Sequence, residues 1–353
     1  MSVNLSDELK KKLGIVRNVP KVDWFKYSGV IATPPKFGKT TLAALIPNSI
    51  LVACELGYDS LELDVRRTKS WADFIELIDL LEENIDEIGE EIKLAVIDTI
   101  HELYAMCNQY VLNQINRKLK SKGKPGVETL AQYDYRNGLT IRDAEWRKQL
   151  SRLEDLGIKP LFLSHLVMKK IKPEDEESFN SLELDFDDNL YNLVVKNVSY
   201  VLIGQNIKEK DEDGNLTVKR KFISKNDGVI QGGSRVHFGE DIYFDTEEEF
   251  LEKFQTIFEK TILSKNNIKP AEAKKMLEKE DKEMVESRKE IKAEQSEKKN
   301  LIEDIKSKMA DKSIDIKLRK QVLDFLFEEY GDKNITVLND RNVSELQEIL
   351  NKF

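Results

Sequence analysis

The sequence predicts an α/β fold with a mainly parallel central sheet, followed by a charged α-helical C-terminal extension. Three observations carry this prediction. Short β-like runs at 29–32, 49–54, 94–98, 160–164 and 198–205 alternate with helical patterns at 39–46, 70–88, 99–119 and 140–156. Two of those runs, 50–54 and 94–97, are continuously apolar, as expected of buried central strands. Beyond residue 264 the composition changes: 265–353 carries 20 basic and 20 acidic residues, so the formal net charge of −9 resides on the first 264.

Composition excludes several classes. The chain has 353 residues, enough for a large core domain with an appendage. No stretch approaches the roughly 20 apolar residues of a membrane span. The opening residues lack the apolar centre of a secretory signal, so a cytoplasmic protein with no membrane partner is expected. Two cysteines, Cys54 and Cys107, and three histidines, His101, His165 and His237, cannot build a disulfide framework or a Cys/His zinc centre. His101 and His237 read as structural. The acidic balance gives no global attraction to nucleic acid, so such binding needs a local basic surface.

The first strand runs into the sharpest motif, Thr33, Pro34, Pro35, Lys36, Phe37, Gly38, Lys39, Thr40, followed by Thr41 and an apolar helix start. This is the tail of a phosphate-binding loop, GxxxxGK[ST], with Thr33 at the place of the first glycine. Strand, loop and helix N-terminus are the parts such a site needs. Backbone amides wrap the phosphates, Gly38 permits close approach, Lys39 neutralises β/γ-phosphate charge and Thr40 ligates Mg²⁺. ATP and Mg²⁺ are therefore the expected cofactors.

The next strands deliver acids and polar groups to the same sheet edge, where open α/β sheets bind ligands. The run 50–54 ends in Glu55, which either orients and deprotonates an attacking water or is a surface turn glutamate. The run 94–98 ends in Asp98, which either holds Mg²⁺ or caps the helix that follows. The run 160–164 ends at Ser164 and His165, either of which would sense the γ-phosphate. Thr217–Ser224 reads as a late hairpin strand, with Lys219, Arg220 and Lys221 as a basic contact or a charge-guarded edge.

Two polar inserts interrupt the pattern, at 117–139 and 168–192. The first carries Arg117, Lys118, Lys120, Lys122 and Lys124, then Tyr133, Tyr135 and Arg136. Cations suit phosphates and tyrosines suit bases, although a solvated loop has the same composition. The second begins with Lys169 and Lys170 and becomes acidic, with eight Asp/Glu between Pro173 and Asn189. That acidity opposes a phosphate backbone. Residues 264–270 read as a linker, with Pro270 starting a long solvated helix over 271–310. A small helical unit is expected at 313–353. The expected divisions are thus 1–20, 21–263, 264–312 and 313–353.

Taken in order, these motifs resemble the RecA-like P-loop ATPases encoded by phages, AAA-type nucleotide-binding proteins associated with single-strand annealing and DNA recombination. The resemblance spans roughly 20–250. It rests on the phosphate loop, on Glu55 within Cys54–Asp59, on Asp98 with Thr99 after it, and on Leu161–His165. It implies that Glu55 is the catalytic base, that Asp98 binds metal, and that Ser164/His165 report hydrolysis. It further implies that Arg235, in the segment 232–236, faces a nucleotide or a neighbouring subunit, and that the two inserts are loops facing single-stranded DNA. The expected protein is a Mg²⁺-dependent, DNA-dependent ATP hydrolase forming a homo-oligomeric ring or filament, with a single-strand binding or annealing protein as a further partner. A helicase loader or other replication ATPase, and a nucleotide-stabilised assembly protein with little turnover, remain the alternatives.

Overall fold

The computed structural model describes residues 20–88, 91–171, 179–210, 216–225, 232–236, 238–311, 313–330, 338 and 341–353, with six positions before residue 21. The expected segment 1–20, His237 and residues 173–178 of the acidic insert lie largely or wholly outside the described residues.

Among the described residues ten strands form one sheet: β1 (Gly29–Thr33), β2 (Ser49–Ala53), β3 (Val65–Arg67), β4 (Leu94–Asp98), β5 (Lys159–Ile171), β6 (Phe179–Leu184), β7 (Tyr200–Lys210), β8 (Leu216–Ile223), β9 (Gly233–Ser234) and β10 (Ile242–Phe244). Their order is β10-β8-β7-β1-β5-β4-β2-β3, with β6 and β9 paired outside that path to β5 and β7. The six strands from β7 to β3 are parallel, while β8 and β10 are antiparallel additions. The sheet is therefore the mainly parallel one the alternation predicts. β5 lies between the strand that enters the phosphate loop and the strand that ends at Asp98.

Helices cover both faces, which is why the central strands read as unbroken apolar runs. On one side lie α2 (Trp71–Glu83), α4 (Ile100–Ser121) and α5 (Asn137–Asp155), packed around Trp71, Phe74 and Trp146. The other side holds α1 (Lys39–Leu45) and α7 (Glu247–Asn266). Local chemistry sets their ends. Ser70 caps α2 by accepting from the Asp73 amide, and Thr246 caps α7 by accepting from Glu249. Phe250, Phe254, Phe258 and Ile262 repeat every four residues on α7 and form its buried stripe. Short α3 (Ile85–Ile88) and α6 (Asp188–Val194) complete the core.

The structure revises three expectations. First, β5 does not stop at Ser164; it continues to Ile171 and forms a hairpin with β6, so the second insert begins as paired strand. Second, Arg117–Ser121 is the last turn of α4, so only 122–136 is a connection. Third, the helix α8 (Pro270–Ala310) is not solvated all round. Its first two-thirds lie on the core: Leu277 joins one apolar cluster and Ile291 the other, and buried Arg288 donates to the Leu156 carbonyl at 3.1 Å. Lys26–Asp281 and Lys292–Asp86 add ion pairs. Its far end joins α9 (Ile316–Tyr330) and α10 (Val343–Leu350) around Ile305, Val322, Leu326, Leu346 and Ile349, a small core of their own.

One buried carboxylate ties the long helix to the core. Glu82 on α2 is 4% exposed. It accepts from Arg152 Nε at 2.9 Å and Nη2 at 2.6 Å, and from Gln295 of α8 at 2.8 Å. Burial opposes the Arg152 charge, but the Glu82 and Asp79 carboxylates hold its pKa above the usual guanidinium value. Glu82→Ala strands a desolvated guanidinium that keeps the partly exposed Asp79 carboxylate and the neutral Gln149 amide oxygen but loses its buried counter-charge. The expected loss is about 3 kcal/mol of unfolding free energy in urea titration. A loss below about 1 kcal/mol, the level of a surface pair, would show that the network does not hold the helix.

Candidate functional site

Register brings the sequence-predicted residues to one height. Thr33 of β1 lies opposite His165 of β5, and Asp98 of β4 lies opposite Leu163 on one side and Ala53 on the other. β1, β2 and β4 therefore end near one edge, β5 passes that edge at 163–165 on its way to Ile171, and the loop 34–38 starts there. The Cys54 and Glu55 amides both donate to the Asp98 carbonyl, at 2.7 and 3.2 Å. This bends the chain after β2 over the end of β4.

The loop is anchored by a side chain that points away from any ligand. Phe37 is buried against Phe222 and Phe244 with ring centroids 5.4 and 6.0 Å apart. It contributes backbone, not side chain, to a phosphate site. Lys36 and Gly38 adopt left-handed φ values of 61° and 104°. Pro35, Lys36 and Thr41 are exposed and Pro34 is half-buried. Thr33, which replaces a glycine of the motif, is fully buried, with its hydroxyl donating to the Pro34 carbonyl at 3.3 Å. Its methyl has room because the neighbouring strand carries Gly204: a Cβ there would lie 2.8 Å from Thr33 Cγ2 and 2.9 Å from the Phe37 ring. The missing glycine has in effect moved to the adjacent strand.

Past the loop, six polar side chains meet. Thr40 Oγ1 donates to Asp98 Oδ2 at 2.9 Å. Lys39 Nζ lies 3.1 Å from His165 Nδ1. An ammonium has only protons to give, so Nδ1 accepts and the remaining proton sits on Nε2. Nε2 lies 3.7 Å from Glu55 Oε1, and the Thr99 hydroxyl donates to that same oxygen. Thr99 thus orients the carboxylate at the mouth of the site.

The electrostatics are those of a site awaiting charge. Asp98 is 9% exposed, and burial raises its pKa, with Glu55 adding to the rise and the Thr40 hydrogen bond opposing it. Burial lowers the pKa of Lys39, against the pull of Asp98 and Glu55. Each charged form is under-solvated, so a polyphosphate beside Lys39 and a cation beside Asp98 would stabilise both. The donor set fits Mg²⁺: a hydroxyl and a carboxylate oxygen converge beside the phosphate loop. Among the described residues no group of three or more His, Cys, Asp or Glu forms a metal site. The remaining ligands would come from phosphate oxygens and water, as is usual for Mg²⁺.

Other predicted residues fall elsewhere. Successive strand residues face opposite ways, so of Ser164 and His165 only His165 enters the site. Ser164 is buried, and its hydroxyl donates to the His165 carbonyl at 2.9 Å. Arg235 follows β9, which pairs with the start of β7, at the edge opposite the phosphate loop. It donates to the Lys196 carbonyl and does not reach the edge where the loop 34–38 starts. Arg117, Lys118, Lys120, Lys122 and Lys124 are exposed around the end of α4. Arg142 of α5 bonds Tyr104 and Asn108 near the start of α4, and Lys120 lies about 24 Å further along that helix than Tyr104. The connection 122–136 climbs back, so the basic cluster and Tyr135 are not one patch. Tyr133 packs half-buried against the core. Tyr135 and Arg136 are exposed. Lys169 is paired with Glu183 at 3.1 Å, while Lys170 is exposed.

Sequence reasoning missed three participants. His101 stacks on His165 with centroids 5.8 Å apart and donates from Nε2 to the Asp185 carbonyl at 2.7 Å; burial lowers its pKa. Its place three residues after Asp98, on the first turn of the helix, was the available signal. Arg220 and Glu247 lie against the outer side of the phosphate loop. Strand β8 is paired on both sides, so Arg220 does not guard an edge; Lys221 beside it pairs with Asp241 at 2.8 Å.

A family model described as an AAA domain matches residues 26–236, which include every residue of the site named above except Glu247. No curated protein matches the chain. Among the described residues no helix is long and apolar enough to cross a membrane.

Proposed function

The chain belongs to the AAA domain family of nucleotide-binding ATPases, and from that premise we propose a Mg²⁺-dependent ATP hydrolase that works on single-stranded DNA in recombination or annealing of the phage type. The observation that carries the hydrolase part is the meeting of Lys39, Thr40, Asp98, Glu55 and His165 at one sheet edge. Lys39 and the loop amides bind the β- and γ-phosphates. Thr40 and Asp98 hold Mg²⁺, which neutralises charge developing on the phosphoryl oxygens. Glu55, oriented by Thr99, positions the attacking water and takes its proton. His165 lies between Lys39 and Glu55 and exchanges its Lys39 partner when phosphate claims the lysine.

The assembly is a ring or filament of copies of this chain. Arg235 sits at the edge opposite the phosphate loop, and a head-to-tail arrangement would turn it toward a neighbour's nucleotide. Supplied in trans, it stabilises transition-state charge. An annealing or single-strand binding protein is the further partner.

Support for DNA contact comes from Tyr135. Asp134, Tyr135 and Arg136 adopt consecutive left-handed φ values of 41°, 51° and 73°, and the Tyr135 ring is fully exposed. Such backbone is costly for residues with a Cβ, and it is retained where the display of a side chain matters. Tyr135→Ala should weaken binding of an oligothymidylate by about 5- to 150-fold, the worth of one stacked base. Fluorescence anisotropy at two salt concentrations reads this. An unchanged Kd removes Tyr135 from the interface.

The test of the proposal as a whole is the ATP hydrolysis rate with and without single-stranded DNA, at low and moderate salt. A DNA-stimulated rate that falls with salt supports it. A DNA-indifferent rate favours a replication-associated loader, a reading suited to the separate small core carried at the end of α8. Binding of ATP with no turnover favours an assembly protein.

A further inference from the structure

We infer that Arg220, held by Glu247, is a positioning residue for phosphate binding: it sets the Phe37–Gly38 peptide so that the Gly38 amide faces the ligand. The inference rests on the nucleotide-binding reading above and assigns a task within that same site.

Arg220 projects from β8, beyond β7 and on the far side of β1 from Lys39's partners on β4 and β5. Its Nη1 donates to the Phe37 carbonyl at 3.3 Å. The guanidinium also pairs with the Glu247 carboxylate, donates to the Asp245 carbonyl and lies over the Phe244 ring at 4.9 Å. Each contact comes from β10, from α7 or from the turn joining them, so the cation is fixed before any ligand arrives.

Peptide geometry gives this contact a consequence. Among the described residues the one cis peptide is Asp98–Thr99, so Phe37–Gly38 is trans. In a planar trans peptide the carbonyl and the amide hydrogen point in opposite directions. Arg220 draws the Phe37 carbonyl toward β8, and the Gly38 N–H therefore points toward β5 and β4. That is the side where Lys39 meets His165 and Thr40 meets Asp98. Amides turned in this way form the anion-binding concavity of a phosphate loop.

Glu247 has two tasks. It neutralises Arg220, so the cation does not compete with Lys39 for phosphate. It also fills the space behind the loop: a Cβ on Gly38 would lie 2.5 Å from Glu247 Oε1. Gly38 is favoured by its φ of 104°, and any side chain there would also have to displace this carboxylate from Arg220.

The test reads the Gly38 amide directly. The sequence has two Phe–Gly pairs, Phe37–Gly38 and Phe238–Gly239. Labelling Phe at the carbonyl carbon with ¹³C and Gly with ¹⁵N leaves two resolvable amide signals in the full chain. ADP should shift one of them in the parent protein. In Arg220→Met that shift should be lost and the Kd for ADP should rise about tenfold, the worth of one hydrogen bond. Arg220→Lys retains the charge but cannot serve all three acceptors, and should fall between the two. It also carries the test if Arg220→Met does not fold. Glu247→Gln keeps the volume and an acceptor but loses the neutralising charge, so it should retain the Gly38 shift with Arg220 still on the Phe37 carbonyl; loss of the shift there with parental affinity would count against the inference. Parental affinity and an unchanged shift in the arginine variants would overturn the inference. So would weakened binding with the shift intact, since Arg220 would then act on the nucleotide itself. Lys39→Ala is the companion: if the parent binds no better than Lys39→Ala, the nucleotide-binding reading fails and the inference fails with it.

Discussion

Glu55→Gln is expected to lower ATP turnover by about 10²- to 10⁴-fold, the usual worth of a positioned general base, while ATP binding persists. The amide keeps the shape of the carboxylate, and its oxygen still accepts from Thr99. What disappears is the negative charge, and with it the basicity, of the carboxylate whose Oε1 lies 3.7 Å from His165 Nε2. The neighbours predict the direction of the side effects. The Glu55 charge contributes to the raised pKa of Asp98 and opposes the lowering of the Lys39 pKa. Removing it makes Asp98 easier to ionise, so affinity for Mg²⁺ should not fall. Single-turnover hydrolysis beside binding of a fluorescent nucleotide separates the two effects. Turnover within about tenfold of the parent, less than a base is worth, would place the base elsewhere. Loss of binding together with turnover would make Glu55 part of the frame of the site.

The legibility of the fold followed from burial. Strands covered on both faces had to be continuously apolar, and helices facing the sheet had to repeat every three to four residues, so the parallel core and its order of motifs could be read directly. The additions were harder. β3, β9 and β10 have three, two and three residues, too few for periodicity to register. The β5–β6 hairpin was obscured because β5 changes character along its length: 160–164 is buried, whereas Met168, Lys169 and Lys170 are exposed. The helix α8 was read as solvated because its docked positions, such as Leu277, Arg288 and Ile291, are far apart among charges.

The site divides in the same way. Lys39, Thr40, Asp98 and Glu55 stand where an apolar run meets a strand end, and a linear pattern marks such places. His101, Arg220, Gly204 and Glu247 act across strands or from a later helix. Their positions depend on the strand order β8-β7-β1-β5-β4, which the chain order does not reveal. Arg235 is the converse case. Its local motif matched a resemblance, but β9 pairs at the start of β7 and carries the arginine to the opposite edge.

Lys39→Ala should abolish turnover with little change in the stability of the ligand-free protein. The two halves of that expectation have separate causes. In the ligand-free site the ammonium gives up hydration to lie beside Asp98, Glu55 and His165, and burial lowers its pKa. Lys39 is only half-buried, so desolvation cost and carboxylate attraction nearly cancel and deletion changes stability by at most about 1 kcal/mol. With nucleotide bound, the balance tips. The polyphosphate brings negative charge that Asp98 and Glu55 repel, and Lys39 is the cation placed among them to meet it. Loss of one charge-assisted contact weakens ATP binding about 100-fold. Thermal unfolding then gives a graded readout. ATP at 100 times the parent's Kd stabilises the parent by about 2.7 kcal/mol. The same concentration only matches the variant's Kd and stabilises it by about 0.4 kcal/mol. A variant that melts like the parent without ATP, but no longer responds to ATP, assigns Lys39 to the ligand. Equal responses in the two proteins, with turnover retained, would remove the lysine from the phosphate site.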